Sequence, residues 1–430
     1  MEITSFLYPL ILLVFGLGYL AIIFEYNIKL NKTAVALLIA VLCWVVYFKF
    51  SDLPLEQDIK NLGKHVSDVS QIIFFLMGAM TLVELIDSHR GFKIVTDLIR
   101  TTSKRKMLWI TAIAAFFLSA VLDNLTTTIL MVSLLRKMVP MRSERFLLSC
   151  IVVVAANAGG AWTPIGDVTT TMLWINGQLS TLKVMQALLL PSIISLLLPL
   201  FFYSMKQKGE YSQPTQEEFD VVPEPGANLV FYLGLGALIF VPIFKTLTGL
   251  PPFMGMLIGV AVLWLVTDIL HHKYEHRQHL RVPTVLTKID MSGVLFFLGI
   301  LLAINALEAA GILNDLAGWL EREIHNQAVI ATLIGCMSAV IDNVPLVAGT
   351  MGMYPLSQFP MDSSLWHMIA YAAGIGGSML LIGSSAGVAL MGLEKINFFD
   401  YMRLITIPVL VGYLAGMAVY LLQLAVFGVG

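Results

Sequence analysis

The chain has 430 residues, 58% hydrophobic and only 13% charged, with a formal net charge of -2, and its mean hydropathy is +0.84. Too few polar residues remain to cover a water-facing surface, which excludes a soluble globular domain, and the near-neutral charge gives no footing for nucleic-acid binding. The three cysteines, Cys43, Cys150 and Cys336, lack metal-ligand or disulfide spacing and read as buried small residues.

A bilayer core needs about 20 mainly apolar residues per helix. In chain order that rule gives spans near 7–24, 33–50, 69–89, 146–175, 184–204, 228–248, 252–270, 291–311, 365–392 and 404–427. The first run has no basic segment before it and no small-residue cleavage site after it, so it reads as a span and not a removed leader. Two apolar stretches remain, 107–139 and 327–357, each with an Asp-Asn pair near its middle, where a polar break forms the tip of a re-entrant hairpin. With both stretches re-entrant and the chain starting outside, most of the 26 basic residues fall on the cytoplasmic face. The other face receives Lys49, Lys60, Lys64, Lys183, Lys245 and Arg322.

This topology makes the halves mirror images: 1–205 as the first inverted repeat, 206–227 as a cytoplasmic linker containing Pro214, Pro223 and Pro225, and 228–430 as the second repeat. Sequence echoes support it. Ser119-Ala120-Val121-Leu122-Asp123-Asn124 returns as Ser338-Ala339-Val340-Ile341-Asp342-Asn343, and Phe74-Phe75-Leu76 returns as Phe296-Phe297-Leu298. Gly159-Gly160 followed by Ile165-Gly166 returns as Gly376-Gly377 followed by Ile382-Gly383. The expected fold is all-α and polytopic, with about five spans and one hairpin per half.

An ionised Asp at the bilayer centre costs roughly 2.5 to 3.5 kcal/mol even on the mildest insertion scale, so repeated intramembrane carboxylates mark an ion or proton pathway. Between Asn157 and Asp167, three glycines and Pro164 break what should be a helix, and Gly374 to Gly387 do so in the other half. Non-helical backbone at that depth lines a cavity or is buried in protein. The hairpin tips and broken helices 146–175 and 365–392 therefore supply hard oxygen ligands. The candidate ion-binding set is Asp123, Asn124, Thr126, Asn157, Thr163, Asp167, Asp342, Asn343, Ser384 and Ser385. Sodium is placed at Asp123, Asn124, Asp167, Asp342 and Asn343, with Glu84, Asp87 and Glu308 as a proton pathway. The set lacks basic side chains, which favours a cation as cargo. Proton and metal ion competing for the same buried carboxylates is a sufficient mechanism for antiport. A structural role stands beside this one, since Asp123 and Asp342 each precede a helix they could cap. The histidine-rich run 271–279 reads as a solvated cytoplasmic loop.

The segments at 119–128, 157–167 and 338–347 resemble NhaD-type sodium/proton antiporters of the ion transporter superfamily, and the likeness runs over nearly the whole chain. The resemblance implies a multi-pass protein of a bacterial inner membrane that exports sodium and lithium against inward protons. It further implies a scaffold and a transport domain, a homodimer, and no cofactor beyond the transported ions. The second half departs from symmetry, with Val344-Pro345 in place of Leu125-Thr126 and Ser384 in place of Asp167. Two other functions share some features: a dicarboxylate or arsenite carrier of the same superfamily, and an intramembrane aspartyl protease suggested by Ile165-Gly166-Asp167.

Overall fold

The computed structural model describes residues 4–23, 28–93, 101–211 and 224–428. Among them the chain is helical, with no extended pairing beyond one isolated bridge between Ser103 and Glu210. Among the described residues nine helices are long and apolar enough to cross a bilayer. The protein is an all-α polytopic membrane protein. Arg100 and most of the proposed linker, including Pro214 and Pro223, lie outside the described residues.

The first half runs α1 (Thr4–Ile23), α2 (Lys32–Phe50), α3 (Leu55–Ser88), α4 (Lys104–Leu122), α5 (Asn124–Met138), α6 (Arg142–Ala161), α7 (Val168–Ile175) and α8 (Thr181–Lys206). Helix α3 has 34 residues and starts well before the span expected from position 69. Hydropathy reads only its apolar part, whereas helix hydrogen bonding continues through polar turns; at 1.5 Å per residue it exceeds a bilayer core of about 30 Å. Ser103 accepts from Lys106 N and caps α4.

Helix α4 is also long enough to cross alone, yet it returns. Lys104 at its start meets Glu144 in the first turn of α6 at 2.8 Å, and α6 begins directly after α5 ends. The two ends of the α4–α5 pair therefore lie on one side. The turn at its tip is a single residue, Asp123, with φ +91°. That backbone region is strained for a residue with a side chain.

The second half runs α9 (Ala227–Thr248), α10 (Pro252–His271), α11 (Met291–Ala309), α12 (Ile312–Glu323), α13 (Gln327–Ser338), α14 (Asn343–Met353), α15 (Ser364–Gly376), α16 (Ser385–Glu394) and α17 (Phe398–Phe427). Helices α6 and α7 are separated by the Gly-rich segment 162–167, and α15 and α16 by 377–384. Helix α17 starts at Phe398, earlier than the expected 404, because Asn397 caps it through Phe399 N.

The halves exchange partners. Helix α2 packs on α11, and α10 packs on α3; α5 packs on α16, and α14 packs on α7. Helices α3 and α11 meet each other, as do α6 and α15, and α8 and α17. The repeated residues make repeated contacts. Ser119 Oγ donates to Ala156 O at 2.6 Å, and Ser338 Oγ donates to Ala373 O at 2.9 Å. A Cβ at Gly159 would strike the Phe116 carbonyl, and one at Gly376 would strike that of Gly335, so α4 and α13 approach their broken helices backbone to backbone. One contact lacks its mate. Helix α11 packs on α14, while a cavity separates α3 from α5.

Candidate functional site

The chain breaks at Asp123, 162–167, 339–342 and 377–384 converge where the helices stop, so the site is built from helix ends. Each aspartate caps the helix that follows it. Asp123 Oδ1 accepts from Thr126 N at 2.8 Å and its Oδ2 from Thr126 Oγ1 at 2.9 Å. Asp167 Oδ1 accepts from Thr169 N and Thr169 Oγ1, and Asp342 Oδ1 from Val344 N at 3.2 Å. The capping role is thus real at all three positions. It does not exhaust them, because a carboxylate pair of oxygens offers about four acceptor positions.

A second layer joins the halves. Asn124 Nδ2 donates to Asp167 Oδ2 at 2.8 Å and to Asn157 Oδ1 at 3.0 Å. Asn157 Nδ2 donates to Ser384 Oγ at 3.0 Å, and Ser385 Oγ reaches Asn124 Oδ1 at 3.5 Å. Asn124, Asn157, Asp167 and Ser384 are all buried. This network runs α5, α6, the α6–α7 break and the start of α16, so residues predicted from both halves do meet.

Not every candidate belongs to it. Thr163 Oγ1 donates to Ala120 O and serves the backbone of the hairpin tip. Asn343 is buried, and its Nδ2 finds no partner. Buried Thr127, Thr128 and Thr170 likewise carry hydroxyls without partners, on α5 and α7. Among the described residues these four groups have no hydrogen-bond partner, which is rare for buried polar groups. Motif reading passed over the threonines, because threonine is common in membrane helices.

A cavity of about 570 Å³ leads away from the network, lined by Thr126 and Ser133 of α5, Asp342, Ser385, and Glu84 and Asp87 of α3. Glu84 and Asp87 thus line it. Glu308 does not share this cavity. Its side chain packs over Gly352 on α14, and the charges nearest it are Lys64 and Asp68. The structure therefore brings Glu84 and Asp87 to one cavity and leaves Glu308 out of its lining.

The expectation of a site without basic side chains also needs correction. Lys32 and Lys288 line the cavity. Lys288 Nζ donates to Ser88 Oγ at 3.0 Å and lies 3.9 Å from Glu84. Both lysines flank helix starts remote in sequence from the duplicated motifs, which is why motif reading passed over them. The run 271–279 is corrected at one position: His271 is buried, and its Nε2 lies 3.1 Å from that of buried His89.

With this geometry in view, comparison with known proteins is informative. Residues 19–370 match the citrate transporter family. The chain is 54% identical, over 95% of its length and 71% of the relative's, to a protein of Arabidopsis thaliana named sodium/proton antiporter 1. It is 52% identical to sodium/proton antiporter 2 of the same plant, covering 95% of this chain and 98% of that one. Against the Na(+)/H(+) antiporter NhaD of Vibrio cholerae the identity is 30%, over 96% of this chain and 91% of the relative.

Proposed function

Because the chain belongs to the citrate transporter family and, by its full-length relatives, to the NhaD-type sodium/proton antiporters, we propose that it exports cytoplasmic sodium or lithium in exchange for external protons. It is a sodium/proton exchanger of the membrane, and its relatives are named as transporters. The dicarboxylate and arsenite readings are not favoured by those relatives. The proteolytic reading is not favoured by relatives that are named as antiporters.

The observation that carries the proposal is the buried Asn124–Asp167–Asn157–Ser384 network at the meeting of four helix ends, opening into one acidic cavity. Sodium held there takes oxygens from Asp123, Asn124, Asp167, Asp342 and Asn343, with Thr126, Asn157, Ser384 and Ser385 in support. The cavity mouth carries Lys32, Glu84, Asp87 and Lys288, all on the face that the charge bias assigns to the cytoplasm. The described conformation is therefore inward-facing in this reading. On the opposite face, Lys245 of α9 donates to the Trp174 carbonyl at the end of α7, at 2.5 Å, and sits 4.3 Å over its ring.

The exchange of helix partners between the halves supports an inverted repeat. The unmatched contact supports alternating access: the gap between α3 and α5 is open while its counterpart between α11 and α14 is closed. Outward opening exchanges the two, which brings Glu308 to the external mouth in the role Glu84 and Asp87 have here. The transporter acts as a homodimer without cofactor, and the membrane is a bacterial inner membrane. Inside-out vesicles, acidified by respiration, test the reading. Sodium or lithium should release the pH gradient with wild type, and Asp123→Asn or Asp342→Asn should abolish that release; a wild type that ignores both cations refutes it.

A further inference from the structure

Lys32 occupies a position that its own helix disfavours. It is the first residue of α2, a helix with no acidic residue in its first turn, and the N-terminal end of a helix dipole disfavours a cation. The anchorage there is firm. Asn31 caps α2 through Thr33 N and Ala34 N, and Thr33 Oγ1 bonds both the carbonyl and the hydroxyl of Ser292 at the start of α11, each at 2.9 Å.

From that anchored end the ammonium turns into the cavity and lies 5.0 Å from the centroid of the Phe296 ring. Lys288, the other lysine of the cavity, is occupied by Ser88 and Glu84. Among the described residues Lys32 has no carboxylate within ion-pair distance, so its charge is not quenched locally. It faces Asp342 across the cavity they both line. Charge interactions then continue from Lys32 to Asp342, from Asp342 to Asp167 and from Asp167 to Asp123. One fixed cation therefore stands at the end of a row of three carboxylates.

We propose that Lys32 is an affinity-setting residue of the exchange reaction: a tethered cation, fixed on the α2–α11 pair, that competes with cytoplasmic sodium for the field of Asp342 and keeps the inward-facing site weak enough to turn over. The proposal rests on the sodium/proton reading of the same site. Its physical basis is the shared sign of the two charges. A lysine held beside the cavity weakens every monovalent cation that enters, and the aromatic face of Phe296 holds it there without neutralising it. A lysine whose role were only to mark the cytoplasmic face would have no such effect on ion affinity.

The test is the sodium concentration for half-maximal exchange, K0.5, in inside-out vesicles at an alkaline pH, for wild type, Lys32→Gln, Lys32→Met and Lys32→Arg, with vesicle content of each variant measured by immunoblot. Lys32→Gln and Lys32→Met should lower K0.5 about three- to ten-fold while the maximal rate stays level or falls, and Lys32→Arg should restore the wild-type K0.5. Methionine keeps an unbranched apolar stem against Phe296, so its agreement with glutamine separates charge from packing. An unchanged or higher K0.5 in both neutral variants, or an arginine variant that behaves like them, overturns the proposal. A wild type without sodium-dependent exchange would instead sink the parent reading, so the two failures are distinguishable.

Discussion

Replacing Asp167 by asparagine removes a charge with almost no change of shape, and the structure says what each contact loses. Asp167 is buried, its Oδ1 takes the Thr169 amide and hydroxyl at 2.9 and 2.8 Å, and its Oδ2 takes Asn124 Nδ2 at 2.8 Å. The new amide oxygen can keep both Thr169 bonds. Its nitrogen then faces the Asn124 amino group, donor against donor, and turning Asn124 over would break the bond to Asn157 Oδ1. The structural cost is one neutral hydrogen bond, about 0.5 to 1.5 kcal/mol. For the bound cation the loss is a charge-assisted contact, about 1.5 to 3 kcal/mol, or roughly 10- to 100-fold in affinity. Vesicle exchange should therefore show K0.5 for sodium raised by that factor, with melting temperature in detergent lowered by only a few degrees. Thr163→Val is the control, because Thr163 serves the Ala120 carbonyl and not the network. Wild-type K0.5 in Asp167→Asn, or an equal rise in Thr163→Val, refutes the reasoning.

The backbone contacts between hairpins and broken helices predict that Gly159→Ala and Gly376→Ala each cost about 1 to 3 kcal/mol by overpacking, whereas Gly63→Ala and Gly349→Ala, with nothing within 4 Å of the added carbon, hold or raise the melting temperature. Glu394, at the end of α16, has a side chain only 1% exposed and binds Arg136 and Arg145 at 2.7 and 2.9 Å. Glu394→Ala strands the Arg145 charge and should cost about 3 to 5 kcal/mol in thermal unfolding; a melting temperature within about a degree of wild type would contradict this. Burial pushes the His89 imidazole below its ordinary value, with Glu224 opposing that effect and His279 and Lys288 reinforcing it, and its ring faces His271. A lowered folded value means stability is present above the unfolded value of about 6.5 and is lost as pH falls below it. His89→Gln should flatten that acid-side loss in a melting series, and an unchanged slope would count against it.

Much of this architecture is written locally. The duplicated Asp-Asn pairs, the Gly-Gly breaks and Pro164 announce helix ends inside the membrane, and the structure stops its helices at those residues. Ser119 and Ser338 even repeat one hydrogen bond. Other features depend on which helix meets which. Glu308 reads like Glu84 in sequence because both lie on apolar helices before a hairpin, but α11 is closed against α14 while α3 stands off from α5. Lys32 reads as an ordinary cytoplasmic lysine, since only tertiary packing turns its ammonium over Phe296. His271 reads as part of a polar loop because the residues that follow it, 272–279, are polar, yet it is the last residue of α10 and faces inward on His89. Hydropathy carries little orientation for helices apolar on every side.

This chain alone is expected to couple sodium to protons. Purified protein in sealed proteoliposomes, with a pH-sensitive dye inside and no other protein present, addresses it most directly. A sodium gradient imposed across the membrane should drive an opposite proton flux that Asp167→Asn shifts to about 10- to 100-fold higher sodium. A sodium flux that leaves internal pH unchanged, or a proton flux indifferent to sodium, would contradict the account.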